Sequence, residues 1–360
     1  MTRVGADVKF LEGASLLGDD PWTTLVAVHE LGFEGILVRT VDEAFPTLDS
    51  GAIDEFAQEA ARRGMFVQLG LGKVNPYMTA ELPRIRDLGG GSYLDGMVRL
   101  IELCAAHGWN EAWTATGGFK HDLPAPFCFD RFRTDADWSD QLAAIARLLR
   151  MLAPALRANG VRLNLETHEE ITTFEILRLI DEVGADVVGV CLDPGNLMVR
   201  GEVPDEAIAR VAPYTHMTHL RDAVLAPTDD GLARFLMPVG EGVVDWGALL
   251  DAVLAADPGI DLAIEGIGGS RAEMVLQPQD ARWRNAHPDL TDRDIRALAS
   301  LADGYAADAA AGRSPSLADL RLERPEGPDY RDFLTRSLAT LQEAVAHRAA
   351  RRAVPTRSAR

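Results

Sequence analysis

Residues 162–168 read RLNLETH, and the face they present decides the fold. Leu163 and Leu165 alternate with Asn164, Glu166 and His168, the period of a β-strand whose two faces meet different surroundings. A strand covered on both sides should be apolar throughout. A face carrying Asn, Glu and His is costly to bury unless those groups bind something. Three more apolar, β-branched-rich runs end in the same way. Asp193 closes VVGVCLD (187–193), His219 lies in THMTHLRD (215–222) and Glu265 ends DLAIE (261–265). A barrel of parallel strands gathers such C-terminal ends at one point. Three carboxylates and one imidazole meeting there make an oxygen-rich site for one hard divalent cation. Mn²⁺ is the expected metal, with Mg²⁺, Co²⁺ or Zn²⁺ as acceptable substitutes.

Working outward, strand-like and helix-like runs alternate along the 360 residues. Candidate strands occupy 8–11, 35–39, 66–71, 111–116, 161–167, 187–192, 216–221 and 262–265. Helical stretches lie between them, at 21–31, 52–63, 93–107, 137–159, 174–183 and 246–255. Asp20 and Asp245 stand at capping positions, and Gly64, Gly108, Gly160 and Gly184 stand where helices close. No glycine-rich dinucleotide fingerprint follows the first strand, so the alternation predicts an α/β protein built as a (β/α)8 TIM barrel rather than a doubly wound sheet. One barrel domain over 1–360 is expected. Residues 267–328, long for a barrel connection, read as a helical insertion after the eighth strand that lids the site or makes an interface, with Asp289 or Thr291 capping a helix that runs to 307. A last amphipathic helix is expected over 330–348, and the basic tail beyond it should fray.

Composition excludes more than it names. A formal charge of −19, with only Lys9, Lys73 and Lys120 as lysines, argues against a nucleic-acid partner. No apolar run is long enough for a bilayer, and the N-terminus MTRVGADVKF lacks a basic segment followed by an apolar one. Cys104, Cys128 and Cys191 form neither a disulfide framework nor a CxxC pair, so a cytoplasmic protein is expected.

Other residues fall around the four strand ends. Strand parity groups His219 with Met217 and Arg221 and turns His216 the other way, to pack beneath a helix. Trp113 on the fourth strand faces the same rim. The stretch 119–136, FKHDLPAPFCFDRFRTDA, mixes aromatics, prolines and charges there. It reads as an ordered loop over the substrate, with Lys120, His121 and Phe127 as contacts.

The pattern LETHEE, CLDPGN, HLRD, MPVGEGVVDW and IEG resembles the xylose-isomerase-like superfamily of TIM barrels, sugar phosphate isomerases and epimerases among them. The resemblance runs from residue 7 to 266 and over the last helix. It implies Glu166, Asp193, His219 and Glu265 as metal ligands, with Glu166 and Glu265 doubling as bases. Asn196 takes a place where relatives often carry histidine, and Glu241 lies in the turn before the seventh helix. Asn196, Arg221, Glu241, Lys120 and Trp113 are the expected substrate contacts. The superfamily's DNA-repair endonucleases require a histidine at Asn196 and another two residues after an aspartate; here Gly231 follows Asp229, and the chain is acidic.

The implied chemistry is proton abstraction next to a sugar carbonyl through a metal-stabilised enediolate, as in a sugar isomerase or epimerase. His168, beside Glu166, adds a neutral imidazole suited to act as a base near pH 7. Glu-x-His beside an acidic metal site also resembles the large subunit of C-glycoside deglycosidases, which cleave a 3-oxo-glycoside by β-elimination. Dehydratases acting on dehydroshikimate and a degenerate sugar-binding barrel are further readings. A small sugar or 3-oxo-glycoside is the expected ligand. The expected assembly is a homo-oligomer, or a hetero-oligomer with a small β-subunit for a deglycosidase.

Overall fold

The computed structural model describes residues 2–39, 41–78, 83–120 and 122–353; His121 and the basic end of the tail lie outside them. Eight parallel strands form the barrel: β1 (Val4–Val8), β2 (Gly35–Val38), β3 (Phe66–Gly70), β4 (Glu111–Thr114), β5 (Arg162–Glu166), β6 (Val188–Leu192), β7 (Thr215–Thr218) and, after two strands outside the barrel, β10 (Leu262–Glu265). The order runs β10, β1, β2 and onward to β7. Leu220, just past β7, completes the circle by donating to Ala263 O (2.8 Å) and accepting from Glu265 N (3.2 Å).

Outward-facing Val4, Ala6, Val8, Ile36, Val38, Leu163, Leu165 and Val190 pack under the surrounding helices in one large core. Inside the barrel a second, small cluster of Leu37, Trp113, Ala115, Cys191, Met217 and Ala263 fills the layer below the strand ends. The helices follow the expected positions: Pro21–Glu30, Ser50–Arg62, Tyr93–Ala106, Trp138–Asn159, Thr173–Val183 and Trp246–Ala256. Gly160 closes the longest of these in a left-handed conformation (φ 62°), which a glycine adopts without strain.

The first strand and the last helix shift from their expected bounds, and a hairpin that was not expected appears. The first strand lies at Val4–Val8 rather than 8–11, and its inward residue is Asp7. Residues 222–237 are not a plain link to the next helix. They form an antiparallel hairpin, β8 (Asp222–Thr228) and β9 (Gly231–Met237), joined at its far edge by β11 (Met274–Leu276). The segment after the eighth strand packs on this hairpin: Leu276, Trp283, Leu290, Leu298 and Ala302 bury against Ala223, Leu225, Leu236 and Met198. Its long helix, Asp292–Ala310, starts at the capping box of Thr291 and Asp294. The last helix, Glu326–Ala353, begins earlier and ends later than expected.

Candidate active site

The C-terminal ends of five barrel strands converge on one buried cluster. Glu166 ends β5, Asp193 follows β6, His219 follows β7, Glu265 ends β10 and Asp7 lies on β1. Asp7, Asp193 and His219 are fully buried, Glu166 is 1% exposed and Glu265 5%. His219 Nδ1 lies 3.4 Å from Glu166 Oε1 and 3.5 Å from Glu265 Oε2. Octahedral ligands about 2.1 Å from one ion stand about 3 Å apart, so each carboxylate is close to the spacing a shared ion would need from His219 Nδ1. Ligand atoms of Glu166, Asp193 and Glu265, and separately of Asp7, His219 and Glu265, lie within 4.8 Å of one another.

Partners already present define which atoms remain open. Trp113 Nε1 donates to Glu166 Oε2 (2.9 Å), and its ring stacks on His219 at 5.7 Å. Asn196 Nδ2 donates to Asp193 Oδ2 at 2.6 Å. The Arg221 guanidinium donates from Nε and Nη2 to the same Asp193 oxygen, at 2.8 and 2.5 Å, and its Nη1 lies 3.0 Å from Glu265 Oε1. Arg39 Nη1 donates to Glu265 Oε1 (2.6 Å), and Arg39 Nη2 contacts Asp7 Oδ2 at 2.9 Å. Both ring nitrogens of His219, Glu265 Oε2 and both Asp7 oxygens are buried without a hydrogen bond among the described residues. Such orphaned polar atoms are costly. Carboxylates and one imidazole, several unsatisfied, fit a divalent cation.

The electrostatics have the same origin. Burial raises Asp193 to about 7, against the pull of Arg221, and raises Asp7 to about 6, against Arg39 and His219. Burial also opposes ionisation of Glu166, yet the cationic imidazoles of His168 and His219 outweigh it and hold the carboxyl below its usual range.

His168, expected as a base, has two carboxylate neighbours. The strand ends at Glu166, and His168 stands on the loop beyond it between two carboxylates. Its Nδ1 meets Glu170 Oε2, and its Nε2 lies 3.0 Å from Glu169 Oε2. Burial lowers its pKa, but Glu170, Glu169 and Glu166 raise it to about 10.

The remaining expected residues separate. Trp113, Asn196 and Arg221 join the cluster. Lys120 pairs with Asp130 at 3.1 Å in the loop after β4. Glu241 pairs with Arg336 of the last helix and does not line the cavity beside Glu265. His216, expected beneath a helix, sits at a register shift between β6 and β7, its side chain 22% exposed and 3.8 Å from Asp257. Phe127 packs edge-on against Phe132 and under Arg282 of the insertion. The loop is tied down there, since Arg131 Nε donates to Ala286 O (3.1 Å).

Asp222 of HLRD has a structural task. Its buried carboxylate accepts from Gly240 N, Val244 N and Trp246 Nε1, holding the GEGVVDW turn. A side chain on Gly242 would collide with it, at 2.2 Å. Asp7 and Arg39 escaped the sequence reading; for Asp7 the available signal was the alternation Val4, Ala6, Val8 around an inward aspartate.

An eight-stranded barrel with a carboxylate–imidazole cluster at its C-terminal end defines the class, and the comparisons with known proteins agree. A model of the xylose isomerase-like TIM barrel family matches residues 25–303, and the chain belongs to that family. It is 30% identical over 121 residues to the 3-oxo-isoapionate decarboxylase of Pectobacterium atrosepticum, covering 33% of this chain and less than half (44%) of that protein. It is 25% identical over 295 residues to the L-ribulose 3-epimerase of Mesorhizobium japonicum, 80% of this chain and 89% of the relative. A solved L-ribulose 3-epimerase structure superposes over the whole of both chains with a TM-score of 0.59 at 18% identity, a likeness of fold. Among the described residues no helix is long and apolar enough to cross a membrane.

Proposed function

We propose that this chain is a divalent-metal-dependent sugar isomerase or epimerase that moves a proton at a carbon next to a carbonyl. The observation carrying this reading is the pair of buried triads that share Glu265, one with Glu166 and Asp193 and one with Asp7 and His219, in which His219 Nδ1 and Glu265 Oε2 are unsatisfied among the described residues. Glu166, Asp193, His219 and Glu265 would hold the cation, with Mn²⁺ the expected ion. A bound divalent ion supplies Lewis acidity, which acidifies the C–H beside a sugar carbonyl. Glu166 and Glu265 both approach His219 Nδ1; in this reading one takes the substrate proton and the other returns it. Arg39 and Arg221 hold Glu265 through one oxygen, leaving the second oxygen for the site. The similarity to a ribulose epimerase along most of its length supports a sugar substrate.

A second reading, cleavage of a C–C bond beside a 3-oxo group, draws on one observation. The cavity of about 590 Å³ in front of Glu265 is walled by Phe10, Leu11, Ala14, Leu16 and Ile267, more apolar surface than a bare pentose uses. The local identity to a 3-oxo-isoapionate decarboxylase points the same way. Epimerisation and β-elimination of a 3-oxo-glycoside both begin by enolisation, and decarboxylation of a 3-oxo acid reaches an enolate by loss of CO₂.

The deciding experiment incubates the metal-loaded protein in D₂O with a panel of ketoses and 3-oxo-glycosides. Deuterium at a carbon next to the carbonyl, lost with EDTA and restored by Mn²⁺, is the expected result. Aglycone release without ketose exchange replaces the isomerase reading with the lyase. No metal retention and no exchange overturns both.

A further inference from the structure

Each of the two glutamates at the centre has one oxygen held and the other turned to His219. Glu265 Oε1 is gripped by the guanidinium groups of Arg39 and Arg221, and its Oε2 lies 3.5 Å from His219 Nδ1. Glu166 repeats the pattern with a single neutral donor. Its Oε2 accepts from Trp113 Nε1 at 2.9 Å, and its Oε1 lies 3.4 Å from His219 Nδ1. Trp113 is the one hydrogen-bond donor to that Oε2 among the described residues.

The surroundings of Trp113 keep its ring in place. It lies on β4, 5% exposed, in the small cluster inside the barrel with Leu37, Ala115, Cys191, Met217 and Ala263. The ring stacks on His219, and a side chain added at Gly70 of β3 would come within 2.7 Å of ring atom Cε3. An indole carries one N–H and no acceptor, and a buried one needs a partner for it. The last torsion of a glutamate side chain is broad, so a carboxylate with both oxygens free can turn either one towards an ion. A donor fixed in the barrel wall removes that choice. So deep a ring, with one face on His219, leaves little surface for a sugar.

We infer that Trp113, expected as a substrate contact, is a positioning residue for Glu166: its N–H holds Oε2 so that Oε1 is the oxygen presented to the cation. This rests on the proposed metal-dependent reading and adds to it a separate task for each oxygen of Glu166.

Trp113→Phe tests it, because phenylalanine keeps an aromatic ring beside His219 and removes the donor. Competition with a fluorescent chelator should show Mn²⁺ affinity lower by roughly 10–100-fold. In the exchange assay kcat should fall with KM little changed. The hydrogen bond itself is read without metal or activity. EDTA-treated protein labelled with ¹⁵N at its six tryptophans carries one indole N–H signal for each. Trp138 and Trp246 donate to Glu175 and Asp222, so Glu166→Gln should shift one signal alone, the one that Trp113→Phe removes. That shift decides even if Trp113→Phe does not fold. No indole signal shifted in Glu166→Gln overturns the inference. So does Trp113→Phe with wild-type metal affinity and kcat, whether or not its stability falls. A raised KM with unchanged kcat makes the ring a substrate wall and overturns it too. Failure of the metal reading would appear separately, as missing metal in the wild-type protein.

Discussion

The two halves of the barrel reach the same centre by different chemistry. β5, β6, β7 and β10 deliver Glu166, Asp193, His219 and Glu265, of which Glu166, Asp193 and Glu265 bring ligand atoms within 4.8 Å of one another. β1 and β2 deliver Asp7 and Arg39, which face groups already placed: Asp7 approaches His219 Nε2 at 3.6 Å, and Arg39 grips Glu265. In the proposed reading the first half supplies ligands and the second orients them. A histidine that binds metal through one nitrogen usually gives its other N–H to a carboxylate, and Asp7 stands where that partner belongs. Residues that fix a neighbour's rotamer need no motif, only a side chain of the right charge on the right strand.

The largest effect should follow loss of a ligand. Asp193→Ala and His219→Ala should each abolish metal retention and activity together while circular dichroism shows an intact barrel, since strand-end side chains serve the site more than the core. Stoichiometric metal by mass spectrometry, with activity, in either variant would erase the distinction between the halves.

Next comes His168, which touches neither half directly. His168→Gln keeps a hydrogen bond between Glu169 and Glu170 but cannot carry the proton. Turnover should fall by ~10²–10⁴-fold with metal content unchanged. Unchanged kcat on the true substrate removes this imidazole from the chemistry.

Asp7→Asn sharpens the comparison more gently. The ligand set survives, but His219 loses its charged partner, and metal affinity should drop by roughly 10–100-fold. Competition with a fluorescent chelator measures it. Affinity equal to wild type would mean that Asp7 is only a counter-charge for Arg39.

How far the centre was legible in the sequence follows the same division. The ligand strands announce themselves because each is an apolar run broken at its end by one carboxylate or imidazole, and every such break costs free energy if idle. Asp7 lies in VGADVKF, where lysine and phenylalanine immediately follow; reading the strand from Val8 onward turned the aspartate into a preceding loop residue. Arg39 was placed at the end of its strand, yet an arginine at a strand end reads as solvated, and its partners come from β1 and β10, distant in sequence. The hairpin of β8 and β9 had a signal in Thr228-Asp229-Asp230-Gly231, with Gly231 at φ 139°, between two apolar runs. His168 kept its place beside Glu166, but its charge depends on Glu169 and Glu170 folding back onto it, and residue spacing does not show that.

The smallest effect belongs to a buried carboxylate in the ligand-bearing half that serves structure alone. Glu202 accepts from Thr173 N (2.8 Å) and Arg210 Nη1 (2.8 Å) and is 3% exposed. Burial raises its pKa to about 7 despite those donors, against 4.5 for an ordinary glutamate. Between those limits the folded chain keeps a proton that the unfolded chain has lost, so rising pH favours unfolding through this group. Its contribution is absent below about pH 4.5, grows by up to ~1.4 kcal/mol per pH unit, and levels off above about pH 7. Glu202→Gln cannot ionise and should remove that slope. Urea unfolding of EDTA-treated wild type and variant at pH 5, 6, 7 and 8 isolates it, because titrations at the metal centre are common to both. The difference in stability, variant minus wild type, should increase with pH up to 7 and then stay constant. A difference independent of pH would show that Thr173 and Arg210 keep Glu202 ionised throughout, and that burial in this half does not by itself separate an idle carboxylate from a ligand.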